Sequence, residues 1–494
     1  MRRWWPLIAV CLGSFMLITD TTVVTVALPD LARGLDASLA DQQWVLNIYT
    51  LVLAALSLSA GSLADMIGQR KVFLGSIVVF GAASLACGLA PGATVLIAAR
   101  AVQGLGGAAM IVAALSLLGA NYGGKDRGFA FGTWMAVIGA AGAAGPFLGG
   151  VLTQYLSWRA IFFINLPLSL LTVILTVVFV KPAPASPARP GIDVPGMLAF
   201  AIGSGALTYG LIQAGGSSGW TSAPAVACFA VAVVGLAVFG VIETRGSSPM
   251  LDLGLFRQAS FVSVIACVIA TSTIFACLVY ASIWLQTGLG LTPAQAGLAL
   301  LPMAATSFVA SMTAGKLLHK VPPRLTVGLG ALLGAIGCAL VWLLADNASS
   351  WATLLPGLVV VGLGMGSAGP STSAALMAST PPNRTGMASG AMATFRQLGQ
   401  TLGVAVFGLV FAAVIKSRSG SEVDVQGVVS ADHVDPALGI GHAMTGGLGV
   451  VFAVAGLLNL IACVLAFAFV RPAAPPPAPP TTPAVHDESA TSTA

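Results

Sequence analysis

The chain alternates long apolar stretches with short polar segments over most of its 494 residues. Division of the sequence at clusters of charged and turn-forming residues leaves fourteen apolar stretches, and a helix needs about 20 such residues to cross the core of a bilayer. These predicted spans, numbered 1 to 14 in chain order, lie near residues 7–28, 44–64, 72–90, 93–117, 130–154, 160–180, 195–214, 222–242, 261–286, 296–315, 325–345, 351–377, 389–415 and 444–470. The pattern predicts an all-α membrane protein with 14 transmembrane helices.

The composition agrees with a lipid environment. Hydrophobic residues make up 57% of the chain and charged residues 7%, whereas soluble domains contain about 45–50% and about 25%. The basic residues occur singly or in pairs between apolar stretches, which argues against nucleic-acid binding. The seven cysteines form no CxxC pair and the four histidines are isolated, so we expect no metal site. Catalytic clusters and a GxxxxGKS/T phosphate loop are absent from the sequence, so we expect no enzyme activity and no use of ATP.

The distribution of positive charge predicts the orientation, because cytoplasmic loops carry an excess of Lys and Arg. With a cytoplasmic N-terminus, fifteen of the 21 basic residues lie on the inner side and two lie within spans. The outer side then has only Arg33, Arg159, Lys416 and Arg418. Gain or loss of one span would destroy this alternation. We therefore expect a multi-pass protein of the inner (cytoplasmic) membrane with both termini in the cytoplasm.

An internal repeat predicts the domain organisation. The segment from Gly61 to Arg70 recurs from Gly315 to Arg324, and Gly104-Leu105-Gly106 recurs as Gly362-Leu363-Gly364. Spans 1–6 therefore correspond to spans 9–14, and spans 7 and 8 are an inserted pair. Transporters are often built from such repeats, with the binding site between them. The predicted units are an N-terminal six-helix bundle (1–180), a linker with two inserted helices (181–260), a C-terminal six-helix bundle (261–470) and a proline-rich, disordered tail (471–494).

Four motifs occur in order along the first half. Span 1 ends with DTTVVTVALP (20–29), the loop after span 2 reads GSLADMIGQRK (61–71), span 4 contains RAVQGLG (100–106), and span 5 ends its glycine-rich segment with GPFLGG (145–150). Together they resemble the major facilitator superfamily, specifically its fourteen-span drug:proton antiporters. The resemblance implies two six-helix bundles plus two inserted helices and a monomer in the lipid bilayer. It also implies export of small molecules in exchange for protons, with the proton gradient as energy source and no cofactor.

Two charged residues lie inside predicted spans of the first half. Asp20 is the only carboxylate placed inside a span, and a charge in hydrocarbon costs at least about 2.5–3.5 kcal/mol, so its position favours a transport role over helix packing alone. Arg100 keeps its charge and must face a polar cavity or a partner. The resemblance implicates this arginine in proton coupling, whereas the structural alternative is a tether between spans 4 and 1. Gln103, one turn further on, can share either role.

The loop and span 5 motifs indicate conformational roles. In the loop, the resemblance implies a latch that clasps neighbouring helices, and the alternative is a solvated charge cluster; its residues are Gly61, Asp65, Gly68, Arg70 and Lys71. In span 5, glycines three or four residues apart predict one flat helix face for close packing, and Pro146 can kink the helix. The resemblance implies a hinge or seal suited to exchange, and its residues are Gly139, Gly142, Gly145, Pro146, Gly149 and Gly150.

A mix of aromatic and polar side chains is expected to line the cargo cavity, because broad recognition of apolar molecules needs a few polar groups for orientation. The candidates are Trp134, Tyr280, Gln286, Phe395, Arg396 and Gln397. A lone membrane carboxylate argues against divalent cations and favours neutral, zwitterionic or singly charged cargo. Three alternatives to multidrug export stay open at this point: a dedicated exporter of one endogenous metabolite, a proton-coupled importer and a passive channel.

Overall fold

The computed structural model describes the backbone of residues 2–122, 124–180, 193–215, 220–246, 251, 253–317, 321–345, 350–378, 385–419 and 440–470. These residues form helices and short connections, and no strand occurs among them. The helices are α1 (Trp5–Leu35), α2 (Leu39–Ile67), α3 (Gln69–Gly88), α4 (Ala93–Asn121), α5 (Gly124–Tyr155), α6 (Ala160–Phe163), α7 (Asn165–Phe179), α8 (Val194–Gly215), α9 (Ala223–Arg245), α10 (Ala259–Ile283), α11 (Pro293–Leu317), α12 (Pro323–Ala345), α13 (Leu355–Ala378), α14 (Thr385–Ser419) and α15 (Ile440–Phe469).

The helices account for the predicted spans in order. Thirteen helical stretches of the described chain are long and apolar enough to cross a membrane, and α6 with α7 forms one of them. The other predicted span, 44–64, lies within α2, whose 29 residues give a length of about 44 Å. The all-α membrane fold is therefore confirmed. The predicted linker from 181 to 192 and the tail 471–494 lie outside the described residues.

Local sequence explains where α2 begins and ends. Ser38 accepts a hydrogen bond from the backbone of Asp41, and the Asp41 side chain accepts one from the backbone of Ser38, which forms a capping box. At the other end Gly68 has φ of 98° and separates α2 from α3. Glycine adopts this angle without strain.

Two pairs of helices form the largest contacts between the first and second halves of the chain. Helix α5 packs against α11, and α2 packs against α14. In the order of the internal repeat α5 corresponds to α14, and α2 corresponds to α11, so the two interfaces are equivalent under exchange of the halves. The inserted α8 and α9 pack against each other, and α8 also contacts α2 and α14. The boundaries predicted at residues 180 and 260 stay predictions.

Candidate functional site

A buried ion pair joins α1 to α4. Arg100 Nη1 lies 2.5 Å from Asp20 Oδ2, and both side chains are fully buried. The same nitrogen donates to Gln103 Oε1 at 2.7 Å, and Arg100 Nε donates to the carbonyl oxygen of Val45 on α2 at 3.1 Å. The guanidinium therefore connects α4 with α1 and α2. The tether between spans 4 and 1 is formed by the carboxylate of Asp20.

The second oxygen of Asp20 is held by two amides. Gln103 Nε2 donates to Asp20 Oδ1 at 2.8 Å, and Asn165 Nδ2 donates to the same atom at 2.9 Å. Both amides also donate to Ser84 Oγ, at 2.8 and 3.3 Å. Asp20, Ser84, Arg100, Gln103 and Asn165 thus form one buried polar cluster, hereafter the Asp20 cluster, contributed by α1, α3, α4 and α7. These hydrogen bonds and the opposite charge of Arg100 compensate the cost of removing the Asp20 carboxylate from water.

The sequence of α4 explains how the Asp20 cluster is assembled. Arg100 and Gln103 are three residues apart and therefore share one helix face. A side chain at Gly104 would meet the backbone oxygen of Tyr49 at 2.6 Å, and one at Gly106 would meet the backbone nitrogen of Phe80 at 2.8 Å. The glycines of the RAVQGLG motif thus let α4 approach α2 and α3 closely enough for Arg100 and Gln103 to reach their partners.

Aromatic rings cover the arginine. The guanidinium carbon lies 4.2 Å from the centre of the Tyr49 ring and 5.9 Å from that of Phe162, distances at which a cation is attracted to an aromatic face. Arg100 Nη2 is buried and makes no hydrogen bond within the described residues. One nitrogen of this guanidinium is therefore available to a water molecule or a ligand.

Arg100 and Tyr49 also line a narrow internal cavity between the two halves. The first half contributes Thr21, Thr25, Leu46, Asn47, Tyr49, Thr50 and Arg100, and the second contributes Phe275, Ala276, Val279, Gln400 and Val404. Asp20 is absent from this lining and lies behind Arg100. The cavity has space for single water molecules, so a drug-sized molecule can enter only if the halves separate.

The glycine motif of α5 packs against two helices: Gly142, Gly145 and Gly149 share the predicted face toward α1, whereas Gly139, expected on the same face, lies against α11. Gly145 and Gly149 lie against Thr22 and Val23 of α1, where a side chain on either glycine would overlap the neighbour. On the other side, a side chain on Gly150 would overlap the backbone of Pro293 on α11. Gly139 lies against Phe308 of α11, Gly142 has only Ile18 nearby, and Gly297 of α11 packs directly on the Pro146 carbonyl group.

The latch residues are described in part. Arg70 Nη2 donates to the carbonyl oxygen of Val177 on α7 at 2.7 Å, which ties the loop to a neighbouring helix, and Lys71 is exposed. Gly61 and Asp65 lie in α2, but the structure does not describe the side chain of Asp65 or the surroundings of either residue. The role of the latch stays a prediction.

Several predicted cavity residues make packing contacts instead. Trp134 Nε1 donates to Ser14 Oγ at 2.8 Å, Tyr280 donates its hydroxyl to the Val404 carbonyl group at 2.5 Å, and Gln286 Nε2 donates to the Val26 carbonyl group at 2.8 Å. Phe395 packs on Phe256. None of these four residues lines the cavity described above, because each is fixed between helices. Arg396 and Gln397 precede the lining residue Gln400 on α14 by four and three positions.

The structure also shows buried polar residues that the sequence did not single out. Ser84, Tyr49 and Asn165 surround the pair of Asp20 and Arg100. Glu243 corrects the expectation of a single carboxylate within the spans, since α9 continues past residue 242 and Glu243 is 4% exposed. Its Oε2 accepts a hydrogen bond from the Leu251 backbone at 2.9 Å, which gives it a structural role at the end of α9.

Comparison with known proteins gives concordant matches. The Major Facilitator Superfamily matches residues 10–404. Multidrug resistance protein Stp of Mycobacterium tuberculosis is 38% identical over 415 residues, which cover 82% of this chain and 75% of Stp. The tetracenomycin C resistance and export protein of Streptomyces glaucescens is 30% identical over 505 residues, covering 96% and 93% of the two chains. A crystal structure of a bacterial homolog of the human lysosomal transporter Spinster has a TM-score of 0.65 at 16% identity, with 94% and 96% covered.

Proposed function

The chain belongs to the major facilitator superfamily, and from this premise we propose that it is a proton-coupled antiporter that exports small, largely apolar drugs or antibiotics across the cytoplasmic membrane. The names of the two relatives, a multidrug resistance protein and an antibiotic resistance and export protein, support export. The proton gradient, a monomeric state and cytoplasmic termini are parts of the same proposal.

The observation that carries the proposal is the Asp20 cluster, because the second half of the internal repeat has apolar residues at the corresponding positions of α13. The internal repeat places Leu358 and Val361 at the positions of Arg100 and Gln103, and both residues are buried in an apolar core. Well-packed apolar residues are often as stabilising as a buried ion pair, or more so. A charged cluster in one repeat and apolar residues in the other therefore favour a function for the charges.

Proton binding at Asp20 would alter the contacts of Arg100. A protonated Asp20 no longer supplies the negative charge that compensates the guanidinium, whereas Arg100 keeps its proton. The arginine then retains the Val45 carbonyl group and the Tyr49 ring, both on α2, and its free Nη2 beside the cavity. A shift of the guanidinium toward the cavity follows, where water or cargo supplies new partners.

Helix α2 connects this change to the interface between the halves. Thr50 and Thr401 share a hydrogen bond of 2.5 Å, and Thr394 of α14 donates to the Ala54 carbonyl group at 2.9 Å. Because Val45 and Tyr49 lie on the same helix as Thr50, movement of Arg100 is transmitted directly to the α2–α14 contact. Protonation is thereby linked to separation of the halves, which is what coupling requires.

The α5–α11 contact supplies a seal at the predicted outer side. The Ala294 backbone donates to Gln154 Oε1 at 3.2 Å, close to where Gly150 meets Pro293. Gln286 and Val26 add a hydrogen bond between α1 and the turn after α10. Gly139 and Gly150 of the span 5 motif allow this contact between the halves, so their close packing supports a seal that opens during exchange.

The test is export of a fluorescent drug panel by inverted membrane vesicles with and without a proton gradient. Asp20→Asn is expected to abolish gradient-driven export while the protein stays folded. The matched control is Asp30→Asn, the same change on the same helix, at an aspartate paired with Arg33 near the end of α1. Export that persists in Asp20→Asn at the rate of the control would contradict the assignment of Asp20.

A dedicated exporter of one metabolite is the second candidate, since one relative is named for a single antibiotic. The same vesicle export assay distinguishes a multidrug exporter from a dedicated one. Saturable transport of several unrelated panel compounds supports multidrug export. Transport of none of them by folded protein favours a dedicated exporter.

A further inference from the structure

Arg396 extends the cavity wall of α14 by one turn. Gln400 and Val404 line the cavity between the halves, and Arg396 precedes Gln400 by four residues. Residues four apart lie one above the other on the same helix face. Arg396 therefore lies on the cavity side of α14, one turn closer to the Thr385 end of the helix than the described lining.

This arginine differs from Arg100 in its surroundings. Arg396 is partly buried, and in the part of the chain that the structure describes no carboxylate pairs with it. Arginine cannot lose its charge in proteins, and a cation at membrane depth is costly unless water or a partner compensates it. Arg100 satisfies this requirement with Asp20, whereas Arg396, one turn beyond the cavity lining on α14, has no carboxylate partner among the described residues.

Nearby amide groups add hydrogen-bond acceptors to the same wall. Gln397 Oε1 and Gln400 Oε1 are buried and have no hydrogen-bond donor within the described residues. The apolar side chains Phe275, Ala276 and Val279 of α10 line the same cavity. The wall thus combines one fixed positive charge, two acceptors and an apolar surface.

We propose that Arg396 is the anion-binding residue of the cargo site, and that the exported molecules carry a carboxylate or a comparable anionic oxygen group on an apolar body. The proposal rests on the export function above and narrows its cargo class to singly charged anions and zwitterions. The guanidinium presents paired N–H donors that match a carboxylate. The apolar body of the cargo contacts α10, and a hydroxyl group on it donates to a glutamine oxygen.

The test is binding of a matched probe pair to purified full-length protein, measured by pyrene fluorescence without any gradient. Pyrenebutyrate carries the carboxylate, and pyrenebutanol has the same ring and chain without charge. We expect wild-type protein to bind the acid about tenfold more tightly than the alcohol, as for a charge-assisted hydrogen bond. Arg396→Gln is expected to remove this preference and leave binding of the alcohol unchanged, and Arg396→Lys to retain part of it.

The control is Arg257→Gln, which removes an exposed arginine outside the cavity and is expected to keep the wild-type preference. Equal binding of the two probes to wild type, binding of neither, or an equal loss of both in Arg396→Gln would overturn the proposal. Because binding is measured without a gradient, it is independent of the export assay. A retained preference for the acid in a protein that does not export would contradict the export function and leave the anion site standing.

Discussion

Asn165 Nδ2 and Asp20 Oδ1 are joined by a hydrogen bond of 2.9 Å between residues 145 positions apart. The bond connects α7 to α1, so the carboxylate is positioned by a helix that carries no charged residue of the cluster. Together with Gln103, Asn165 fixes the orientation of the carboxylate against Arg100. The amide is therefore a positioning residue for the group that we propose to bind the proton.

Asn165→Leu is expected to lower gradient-driven export about tenfold, because it removes a hydrogen bond to a charged group and leaves Asp20 Oδ1 with one amide donor. The measurement is the initial export rate in inverted vesicles at a fixed proton gradient. The control is Asn459→Leu, since among the described residues Asn459 Nδ2 donates only to the backbone carbonyl groups of Ala270 and Ala455. Equal loss of export in both variants would mean that Asn165 acts through packing alone.

The sequence identified those members of the Asp20 cluster that are unusual within a membrane span. Charges such as Asp20 and Arg100 stand out because lipid disfavours them. Ser84 does not stand out, because serine is common in membrane helices and bonds to its own backbone, as Ser84 also does to Phe80. Glu243 was missed for the opposite reason, since a charge next to an apolar stretch is ordinarily taken as the end of the span.

The sequence predicted which residues share a face of a helix, but not which neighbouring helix that face contacts. The spacing of the glycines in α5 gives their positions around its axis, but it does not give the neighbours. Gly145 and Gly150, five residues apart, lie about 140° apart around the axis, but only the structure shows that the first packs against α1 and the second against α11. The internal repeat predicts which helices correspond, α2 with α11 and α5 with α14, but not that α2 packs against α14 and α5 against α11.

The ion pair is expected to respond differently to single and double substitution. Arg100→Leu leaves the Asp20 carboxylate buried without its counter-charge and should lower stability by about 3–5 kcal/mol. Adding Asp20→Asn should restore much of this loss, because both charges are then gone and Leu358 stands at the corresponding position of the second repeat. The measurement is thermal unfolding of the purified variants followed by tryptophan fluorescence.

The double variant should fold and yet fail to export in a gradient-dependent manner. This combination separates the structural contribution of the pair from its transport role. A double variant that is as unstable as Arg100→Leu would show that the pair is needed for folding, and would weaken the argument from the repeat.

Gly145→Ala is expected to destabilise the protein by about 1–3 kcal/mol through overpacking, because the new methyl group overlaps the hydroxyl group of Thr22. Gly142→Ala is the matched control on the same helix, since its methyl group would lie 4.0 Å from Ile18. Melting temperatures of the two variants and wild type provide the comparison. Equal melting temperatures for the two variants would contradict the close contact of α5 with α1.

Cross-linking tests the seal between α5 and α11. Cysteines at Gln154 and Ala294, whose side-chain and backbone atoms share a hydrogen bond, should react with a short bifunctional thiol reagent, and export should stop until the link is cleaved. Six of the seven native cysteines are buried and Cys228 is partly so, so a Cys228→Ala background limits unwanted reaction. Cross-linked protein that exports at the rate of the single-cysteine variants would show that this contact stays closed throughout transport.

The charge of the cargo determines how export responds to membrane potential. If one proton enters for each anion that leaves, every cycle moves two charges, and each charge contributes about 2.3 kcal/mol per 100 mV. Proteoliposomes with a potassium diffusion potential and an opposing gradient of pyrenebutyrate allow the measurement of the membrane potential at which net transport stops. For a cycle that moves two charges, this potential should be about half of that for a cycle that moves one charge. Asp20→Asn proteoliposomes supply the passive flux to be subtracted. A cancelling potential that corresponds to a single charge would contradict an anionic cargo exchanged for one proton, even if Arg396 binds the acid.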